Sequence, residues 1–265
     1  MKIVNKNYNL NSKLDKKIIL ISDIHYKEKR DLNRLNSILT NISKIKPDYI
    51  CITGDLIDKC SILDEDDLLN WLKALSKICK VIISIGNHEF YIEKKNKLFG
   101  LNTKFLNRIK TINNVYLLNN ESTIIDSINF IGITVPIEYY SKIDDNYEYF
   151  NKIKVEDKCY NILLCHNPIK VCTSNILKNK NIDLALCGHM HGGIVPRFLR
   201  LLFKTRGIIG PGFDIFPKYC YGKLKVHDKD VIITSGCRVL PFKVINKLFN
   251  IEIVVINLTN RKKQV

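Results

Sequence analysis

The sequence predicts an α/β fold, and three observations support this prediction. Apolar runs alternate with segments of helical spacing in the N-terminal part of the chain. Shorter apolar runs follow in the middle of the chain, where we expect additional antiparallel strands. Polar clusters directly follow several apolar runs. Open α/β sheets bind their ligands at this position, the carboxyl end of the strands. The chain of 265 residues has 46% apolar content and no Pro- or Ser-rich linker, so we expect one domain over residues 1–265.

The N-terminal part is predicted to be a βαβαβ unit. Three apolar runs predict buried strands, at residues 17–21, 49–53 and 81–85. Between the first two strands, leucine and isoleucine recur at helical spacing from Leu32 to Ile45, behind Asp31 as a candidate N-cap. The second helix begins in the acidic run 64–67 and is closed by Lys73, Lys77 and Lys80, a charge order that complements the helix dipole. This rhythm predicts parallel strands joined by right-handed crossovers.

The remainder of the chain is predicted to contain one more helix and several short strands. The basic stretch 94–110 predicts a helix. The apolar runs behind it predict the strands of a second sheet, at residues 115–118, 122–125 and 129–134. Strands return before His166 and His189. The chain then closes with three more predicted strands, at residues 221–227, 231–235 and 251–258.

Five polar clusters contain most of the residues that can carry chemistry, at residues 22–25, 54–58, 86–89, 165–168 and 188–193. Imidazole and carboxylate ligands together suit manganese, iron and zinc. The clusters offer seven candidate metal ligands: Asp23, His25, Asp55, Asn87, His166, His189 and His191. Seven ligands are too many for one tetrahedral ion that keeps a position open for water. We therefore expect two divalent ions that share one carboxylate.

Three further polar residues have open or ordinary interpretations. Asp58 either caps the turn behind its strand or supports a neighbouring ligand. Asn167 either orients a substrate or shapes the turn before Pro168. His227 lies in a predicted hairpin turn, where we expect it to be solvated.

The order of the five clusters resembles the calcineurin-like metallophosphoesterase superfamily. The series is Asp-x-His, Gly-Asp-x-x-Asp, Gly-Asn-His, a single His and Gly-His-x-His, and the resemblance runs from about Ile18 to Leu258. The Gly-His-x-His-Gly-Gly ending, residues 216–219 and the strand with Glu252 are most similar to small bacterial phosphodiesterases of the YkuE and YaeI type. Glu89 departs from the family pattern, which usually has Asp at this position.

The resemblance implies a four-layer αββα sandwich, in which two mixed β-sheets are flanked by helices and a dinuclear metal site lies at strand ends. It implies that one ion is held by Asp23, His25, Asp55 and His191. It implies that the other ion is held by Asp55, Asn87, His166 and His189. Asp55 would bridge the two ions. His88 would not bind metal; it would be the catalytic residue that stabilises or protonates the leaving oxygen.

The function implied by the resemblance is a metal-dependent phosphoesterase. Such an enzyme hydrolyses phosphate mono- or diesters, including phospholipid or nucleotide-type substrates, by attack of a metal-bridging hydroxide. One alternative is a nuclease of the same superfamily, for which the formal net charge of +16 is the only support. Another is a noncatalytic binding protein that keeps the fold, although the intact ligand set and His88 argue against it.

Partners and location are predicted from composition. Residues 197–206 combine four cations with five large apolar residues, which predicts either a peripheral membrane contact or a lid whose apolar side is buried in the same domain. Nucleic acid is not an expected partner, because the excess lysine is scattered along the chain. The nine cysteines form no Cys-x-x-Cys pair, residues 1–17 lack an apolar signal region, and no run approaches ~20 apolar residues. We therefore expect a cytoplasmic protein.

Overall fold

The computed structural model describes residues 2–58, 65–93, 98–140, 150, 153–196, 198–237 and 248–260. Its strands in the first half are β1 (Ile3–Asn11), β2 (Lys16–Ile21), β3 (Tyr49–Thr53), β4 (Lys80–Ser84), β5 (Phe90–Glu93), β6 (Leu98–Leu101) and β7 (Val115–Leu118). The later strands are β8 (Glu121–Ile125), β9 (Ile128–Ile133), β10 (Tyr160–Cys165), β11 (Leu184–Cys187), β12 (Gly222–Val226), β13 (Lys229–Ile233) and β14 (Ile251–Thr259). The helices are α1 (Leu32–Ile45), α2 (Asp66–Ser76), α3 (Thr103–Lys110), α4 (Pro168–Thr173), α5 (Ile176–Asn179) and α6 (Arg200–Phe203).

Twelve of these strands form two six-stranded sheets. The first sheet has the order β1-β14-β2-β3-β4-β7, and the second has the order β12-β13-β11-β10-β9-β8. Strands β2, β3, β4 and β7 are parallel to one another, while β14 is antiparallel to β2. In the second sheet β9, β10, β11 and β13 are parallel, and the edge strands β8 and β12 are antiparallel to their neighbours. Both sheets are therefore mixed, as predicted.

Alternating side chains of the same strands face two different cores, and this alternation produces the layers. On β2, Ile19 and Ile21 pack in one cluster with residues of α1 and α2. Ile18 and Leu20 pack in a second cluster with Phe130 and other residues of the facing sheet. A third cluster covers the outer face of the second sheet with residues of α4 and α5. The order helix, sheet, sheet, helix confirms the predicted fold class.

The structure corrects two predicted elements. β7 does not belong to the second sheet; it pairs in parallel with β4 and extends the first sheet, because α3 returns the chain to that edge. The prediction of one helix over residues 94–110 is wrong for Leu98–Leu101, which pairs with β5 as a hairpin. Helix α3 begins only at Thr103, where the Asn102 side chain accepts a hydrogen bond from the Phe105 amide. Residues 94–97 lie outside the described part of the chain.

The N-terminal residues contain an element that the hydrophobic pattern did not indicate. β1 lies at the edge of the first sheet and pairs with β14 from Ile3 to Asn11. Its polar side chains fit an edge strand, of which one face is solvated. Asp31 does stand before α1, but its carboxylate accepts hydrogen bonds from the Lys27 and Glu28 amides and does not cap that helix.

Candidate metal centre

The five polar clusters meet because they all follow strands whose carboxyl ends share one edge of the sandwich. Asp23, Asp55 and Asn87 follow the parallel strands β2, β3 and β4 of the first sheet. His166 and His189 follow the parallel strands β10 and β11 of the second sheet. Backbone hydrogen bonds join neighbouring loops, such as that from the Asp23 amide to the Gly54 carbonyl at 3.2 Å. Both sheets therefore contribute side chains to one site.

Asp55 lies among three histidines. Its Oδ2 atom is 3.1 Å from His166 Nε2, 3.6 Å from His25 Nε2 and 3.9 Å from His88 Nε2. Its other carboxylate oxygen, Oδ1, accepts a hydrogen bond from the His88 amide at 2.8 Å. One oxygen thus fixes the loop behind β4, and the other points into the cluster of imidazoles.

Asp23 repeats this arrangement with the loop behind β11. Its Oδ2 atom accepts a hydrogen bond from the His189 amide at 3.1 Å. Its Oδ1 atom lies 3.6 Å from His191 Nδ1 and 3.9 Å from the Nε2 atoms of both His25 and His166. That oxygen is buried and has no hydrogen-bond partner within the described residues. A buried carboxylate oxygen without such a partner is costly to keep and indicates that a cation binds there.

Three groups of side chains have ligand atoms within 4.8 Å of one another: Asp23 with His25 and His191, His25 with Asp55 and His88, and Asp55 with His166 and His189. Six of the seven predicted ligands belong to these groups. The seventh, Asn87, lies in the turn that carries His88, and its Oδ1 atom is buried without a hydrogen-bond partner in the described part of the chain. The donor set therefore fits divalent metal. His88 belongs to one group as well, so proximity alone does not separate it from the ligands.

The backbone of five predicted ligands is in the left-handed region, with φ between 46° and 71° at Asp23, His25, Asp55, His189 and His191. This conformation costs a residue with a side chain about 1–2 kcal/mol. Such strain persists only where the surrounding structure holds it in place, and it concentrates at functional sites. The left-handed conformation at these five positions shows that the loops, and not the regular strands, set the direction of the ligand side chains.

Two glycines allow the backbone to pass close to Asp23. Gly236 has φ of +81°, and a Cβ atom at this position would lie 2.7 Å from Asp23 Cβ. A Cβ atom on Gly188 would lie 2.8 Å from Asp23 Oδ2. Only glycine fits at either position without a shift of the carboxylate. The motif pattern included Gly188, but Gly236 was missed because it lies in no polar cluster.

Glu89 is the site residue that sequence reasoning undervalued, because it was noted only as a departure from the family pattern. Its buried carboxylate accepts hydrogen bonds from the Asp55 amide at 3.0 Å, the Leu56 amide at 2.7 Å and the Gly86 amide at 2.7 Å. Burial, together with the nearby Asp55 charge, raises the pKa of Glu89 to about 7. Glu89 ties the loop behind β3 to the loop behind β4.

The orientation of His166 is fixed across the two sheets. Its Nδ1 atom hydrogen bonds to the Thr53 carbonyl oxygen on β3 at 2.5 Å, and Ser22 Oγ donates to the same oxygen at 2.9 Å. When Nδ1 is the donor, Nε2 faces Asp55 and is available as a ligand atom. The sequence identified His166 as a candidate ligand, and the structure indicates which of its nitrogen atoms faces the cluster.

Burial and the charges of neighbouring side chains both shift the pKa values of the ionisable groups in the cluster. Burial disfavours the charged form of Asp55, but the adjacent imidazoles, above all His166, hold the pKa of Asp55 well below its usual range. Burial also disfavours the charged form of His166, but the Asp55 carboxylate outweighs it and raises the pKa of His166 to about 9. Burial and the neighbouring His166 lower the pKa of His189 well below its usual value.

The structure decides between the open interpretations of the other polar residues. Asp58 Oδ1 lies 3.6 Å from His88 Nδ1, so Asp58 supports that imidazole. Asn167 is fully buried, and its side-chain oxygen accepts hydrogen bonds from the Ile169 and Lys170 amides, so it caps α4. His227 is exposed in the turn between β12 and β13. Sequence reasoning did not single out Tyr140, whose ring centroid lies 4.9 Å from that of His189.

Comparison with known proteins agrees with this site. The family model described as calcineurin-like phosphoesterase matches residues 16–193, which include all the predicted ligands and His88. The chain therefore belongs to the calcineurin-like phosphoesterase family. The crystal structure of TT1561 from Thermus thermophilus has a similar fold, with a TM-score of 0.52 and 11% identity over 84% of this chain and 91% of that one.

Three curated relatives illustrate the family. The metallophosphoesterase Cj0846 of Campylobacter jejuni is 27% identical, over 78% of this chain and 52% of that protein. Phosphodiesterase YaeI of Escherichia coli is 24% identical, over 67% of this chain and 61% of that protein, and it confirms the predicted similarity to the YaeI type. The UDP-2,3-diacylglucosamine pyrophosphatase LpxG of Chlamydia trachomatis is 23% identical, over 82% of this chain and 80% of that protein. The chain spans about half the length of the first curated relatives it matches.

Proposed function

We propose that this protein is a metal-dependent phosphoesterase that hydrolyses phosphate mono- or diesters. The observation that carries the proposal is the convergence of five buried or half-buried His side chains from both sheets around Asp23 and Asp55. Asp23 and Asp55 each use one carboxylate oxygen to hold a loop amide and direct the other oxygen into the cluster. The intact ligand set and His88 argue against a noncatalytic binding protein.

We assign the metal ligands in two sets that share Asp55. One set is Asp23, His25, Asp55 and His191; the other is Asp55, Asn87, His166 and His189. A bound pair of divalent ions such as manganese, iron or zinc lowers the pKa of a coordinated water and offsets charge on the phosphoryl oxygens. The chain itself fixes the ligands through Glu89, which holds the loops behind β3 and β4, and Thr53, which orients His166.

We assign His88 as the general acid. Its imidazole lies between Asp55 and Asp58, at 3.9 Å from Asp55 Oδ2 through Nε2 and at 3.6 Å from Asp58 Oδ1 through Nδ1. Asp58 is thereby placed to hold the ring, and Nε2 faces Asp55 in the cluster. From this position His88 would donate a proton to the oxygen of the departing alcohol.

The substrate class is proposed from the relatives. Two of the relatives are named phosphodiesterase and UDP-2,3-diacylglucosamine pyrophosphatase, and these names describe a phosphodiester and a diphosphate as the bonds cleaved. In both bonds the reacting phosphate carries two substituents, so we propose a disubstituted phosphate, of phospholipid or nucleotide type, as the preferred substrate. We expect a higher kcat/KM with such substrates than with phosphate monoesters.

The test is hydrolysis of bis-p-nitrophenyl phosphate by the manganese-loaded protein. We expect activity that a chelator abolishes and that the Asp55→Asn substitution reduces by about 100-fold or more, since one shared ligand charge is lost. Asp228→Asn, the same chemical change in the exposed turn between β12 and β13, is the matched control. Wild-type activity in Asp55→Asn, or a protein that takes up no metal, would contradict the proposal.

A further inference from the structure

Residues 198–218 expose an unusual amount of apolar surface. Seven of the nine exposed large apolar side chains in the described part of the chain lie in this segment. Six of them are more than half exposed: Phe198, Leu201, Leu202, Phe213, Ile215 and Phe216. The exposed fraction reaches 92% at Leu201 and 87% at Phe213. A protein surface in water rarely carries so many large apolar side chains together, and such patches mark interaction sites.

The inner side of the same segment is anchored to the fold. Leu199, Phe203 and Ile208 pack against a small buried cluster that includes Met190 and Cys220. Other anchors are polar: the Gly193 carbonyl accepts hydrogen bonds from the Ile208 and Ile209 amides, and Arg200 pairs with Glu252 at 3.1 Å. The segment therefore has an inner side that packs against the fold and an outer side that exposes apolar side chains.

The exposed side chains lie on two turns that contact each other, with hydrogen bonds from the Phe216 amide to the Ile208 carbonyl and from the Gly207 amide to the Pro217 carbonyl. The first turn surrounds α6, and the second is a tight loop closed by the bridge between Ile209 and Ile215. The rings of Phe203 and Phe216 join the turns, with centroids 6.4 Å apart and an angle of 16° between the ring planes. We call this surface, formed by the outer side of residues 198–218, the apolar face.

The charges around the apolar face are mostly positive. Lys204, Arg206 and Lys218 are exposed and have no ion-pair partner among the residues that the structure describes. Asp214 is the only acidic residue between 198 and 218. Because Arg200 is already paired with Glu252, the other three cations are the ones available to an external anion.

We propose that the apolar face docks on the surface of an anionic lipid bilayer. Leucine, isoleucine and phenylalanine side chains enter the headgroup and acyl boundary, while lysine and arginine remain with the anionic headgroups. A side chain such as Leu201, which touches almost nothing of its own protein, is covered from all sides by lipid but only from one side by a flat protein partner. The Arg200 guanidinium lies next to Gly192 in the loop that carries His191, so docking would bring the candidate metal site close to phosphate groups at the membrane surface.

The experiment is flotation of the full chain with vesicles. We expect binding to vesicles of phosphatidylcholine with phosphatidylglycerol, and weaker binding to phosphatidylcholine alone. A variant with Leu201→Ser, Leu202→Ser and Phe213→Ser is expected to bind about tenfold more weakly or worse, because three insertable side chains are removed. Its control carries Ile124→Ser and Leu248→Ser, which are exposed apolar positions elsewhere, and is expected to bind like the wild type.

The charge contribution is tested with two variants of equal net charge. Lys204→Glu, Arg206→Glu and Lys218→Glu together are expected to abolish the preference for anionic vesicles. The matched variant Lys44→Glu, Lys104→Glu and Lys110→Glu changes exposed lysines outside the apolar face and is expected to keep the preference. Equal losses in both variants would show that the overall charge, and not this face, attracts the protein.

Two further outcomes would overturn the proposal. One is a wild-type protein that does not float with either vesicle. The other is a wild-type dimer in light scattering that the triple serine variant dissociates without any vesicle binding, since the face would then cover a second copy. Asp55→Asn is expected to float like the wild type, so failure of the proposed catalytic function and failure of membrane docking are distinguished.

Discussion

At the scale of single residues, the site depends on which atom of each side chain faces the cluster. Thr53 selects the nitrogen of His166, and backbone amides select the oxygens of Asp23 and Asp55. Residue types and spacing are enough to identify candidate ligands. They do not indicate which nitrogen of His166, or which oxygen of Asp23 and Asp55, faces the cluster. The groups that orient these side chains come from other parts of the chain.

His88 gives the sharpest prediction at this scale. We expect His88→Asn to reduce hydrolysis of a diester with an aliphatic leaving group by about 100-fold or more, because an alkoxide needs a proton to depart. The loss with bis-p-nitrophenyl phosphate should be much smaller, because p-nitrophenolate leaves without protonation. The measurement is kcat/KM on both substrates.

Metal analysis completes the test of His88. We expect the metal content of His88→Asn to equal that of the wild type and of His227→Asn, a control in an exposed turn. Equal loss of activity on both substrates, accompanied by loss of metal, would instead make His88 a ligand, as its place in one of the three groups allows.

Glu89 is predicted to act through the loops that it holds. Glu89→Gln replaces one acceptor oxygen by an amide NH₂ group, which faces backbone donors and leaves at least one of them unsatisfied. We expect the free energy of unfolding to fall by about 1–3 kcal/mol, as measured by urea denaturation. Glu121→Gln, on the exposed side of β8, is the matched control and should stay within about 0.5 kcal/mol of the wild type. Equal stability of the two variants would count against this role of Glu89.

At the scale of elements, the ligand loops are short connections from buried strands, and their positions follow from the parallel order of those strands. The sequence of elements did not indicate the role of Gly236. This glycine lies in the loop after β13 and contacts Asp23, but it has no side chain that a motif could reveal. On the other sheet, Asn167 directly follows His166 and caps helix α4, a role that the sequence pattern left open.

The cap predicts a stability effect without a catalytic one. We expect Asn167→Ala to lower the free energy of unfolding by about 1 kcal/mol, since two α4 amides lose their acceptor, while Asn167→Asp keeps most of the stability. Under conditions where both variants are folded, kcat/KM per folded molecule should match the wild type within about threefold. A large catalytic loss in Asn167→Asp at unchanged stability would favour the interpretation in which Asn167 orients the substrate.

At the scale of the whole molecule, the face-to-face packing of the two sheets brings the site residues of the first sheet next to those of the second. The core between them holds residues such as Ile18, Leu164 and Leu186, so the relative position of Asp55 and His166 depends on that packing. In the described part of the chain, no helix is long and apolar enough to cross a bilayer. The single domain over residues 1–265 and the cytoplasmic location stay predictions from the sequence.

The raised pKa of His166 predicts how metal binding depends on pH. In the metal-free protein, the raised pKa of His166 contributes stability that is complete below about pH 6.5 and is lost as the pH rises through about 9. A metal ion requires the neutral imidazole, so it competes with that proton in this window. We expect the increase in Tm caused by manganese to grow from pH 6.5 to pH 8.5, measured by differential scanning fluorimetry. An increase that is constant with pH would contradict the expectation, and Asp55→Asn should show little increase at any pH.

The sequence by itself determined the strand and helix alternation, the family and the identity of the candidate ligands, because these depend on local periodicity and on residue types at fixed spacing. The tertiary structure alone decided that β7 extends the first sheet and that β14 lies between β1 and β2. It also decided that Glu89 holds two loops and that residues 198–218 expose their apolar side. The physical reason is that strand order, buried hydrogen bonds and exposure are set by contacts between segments distant in the chain, which no local pattern contains.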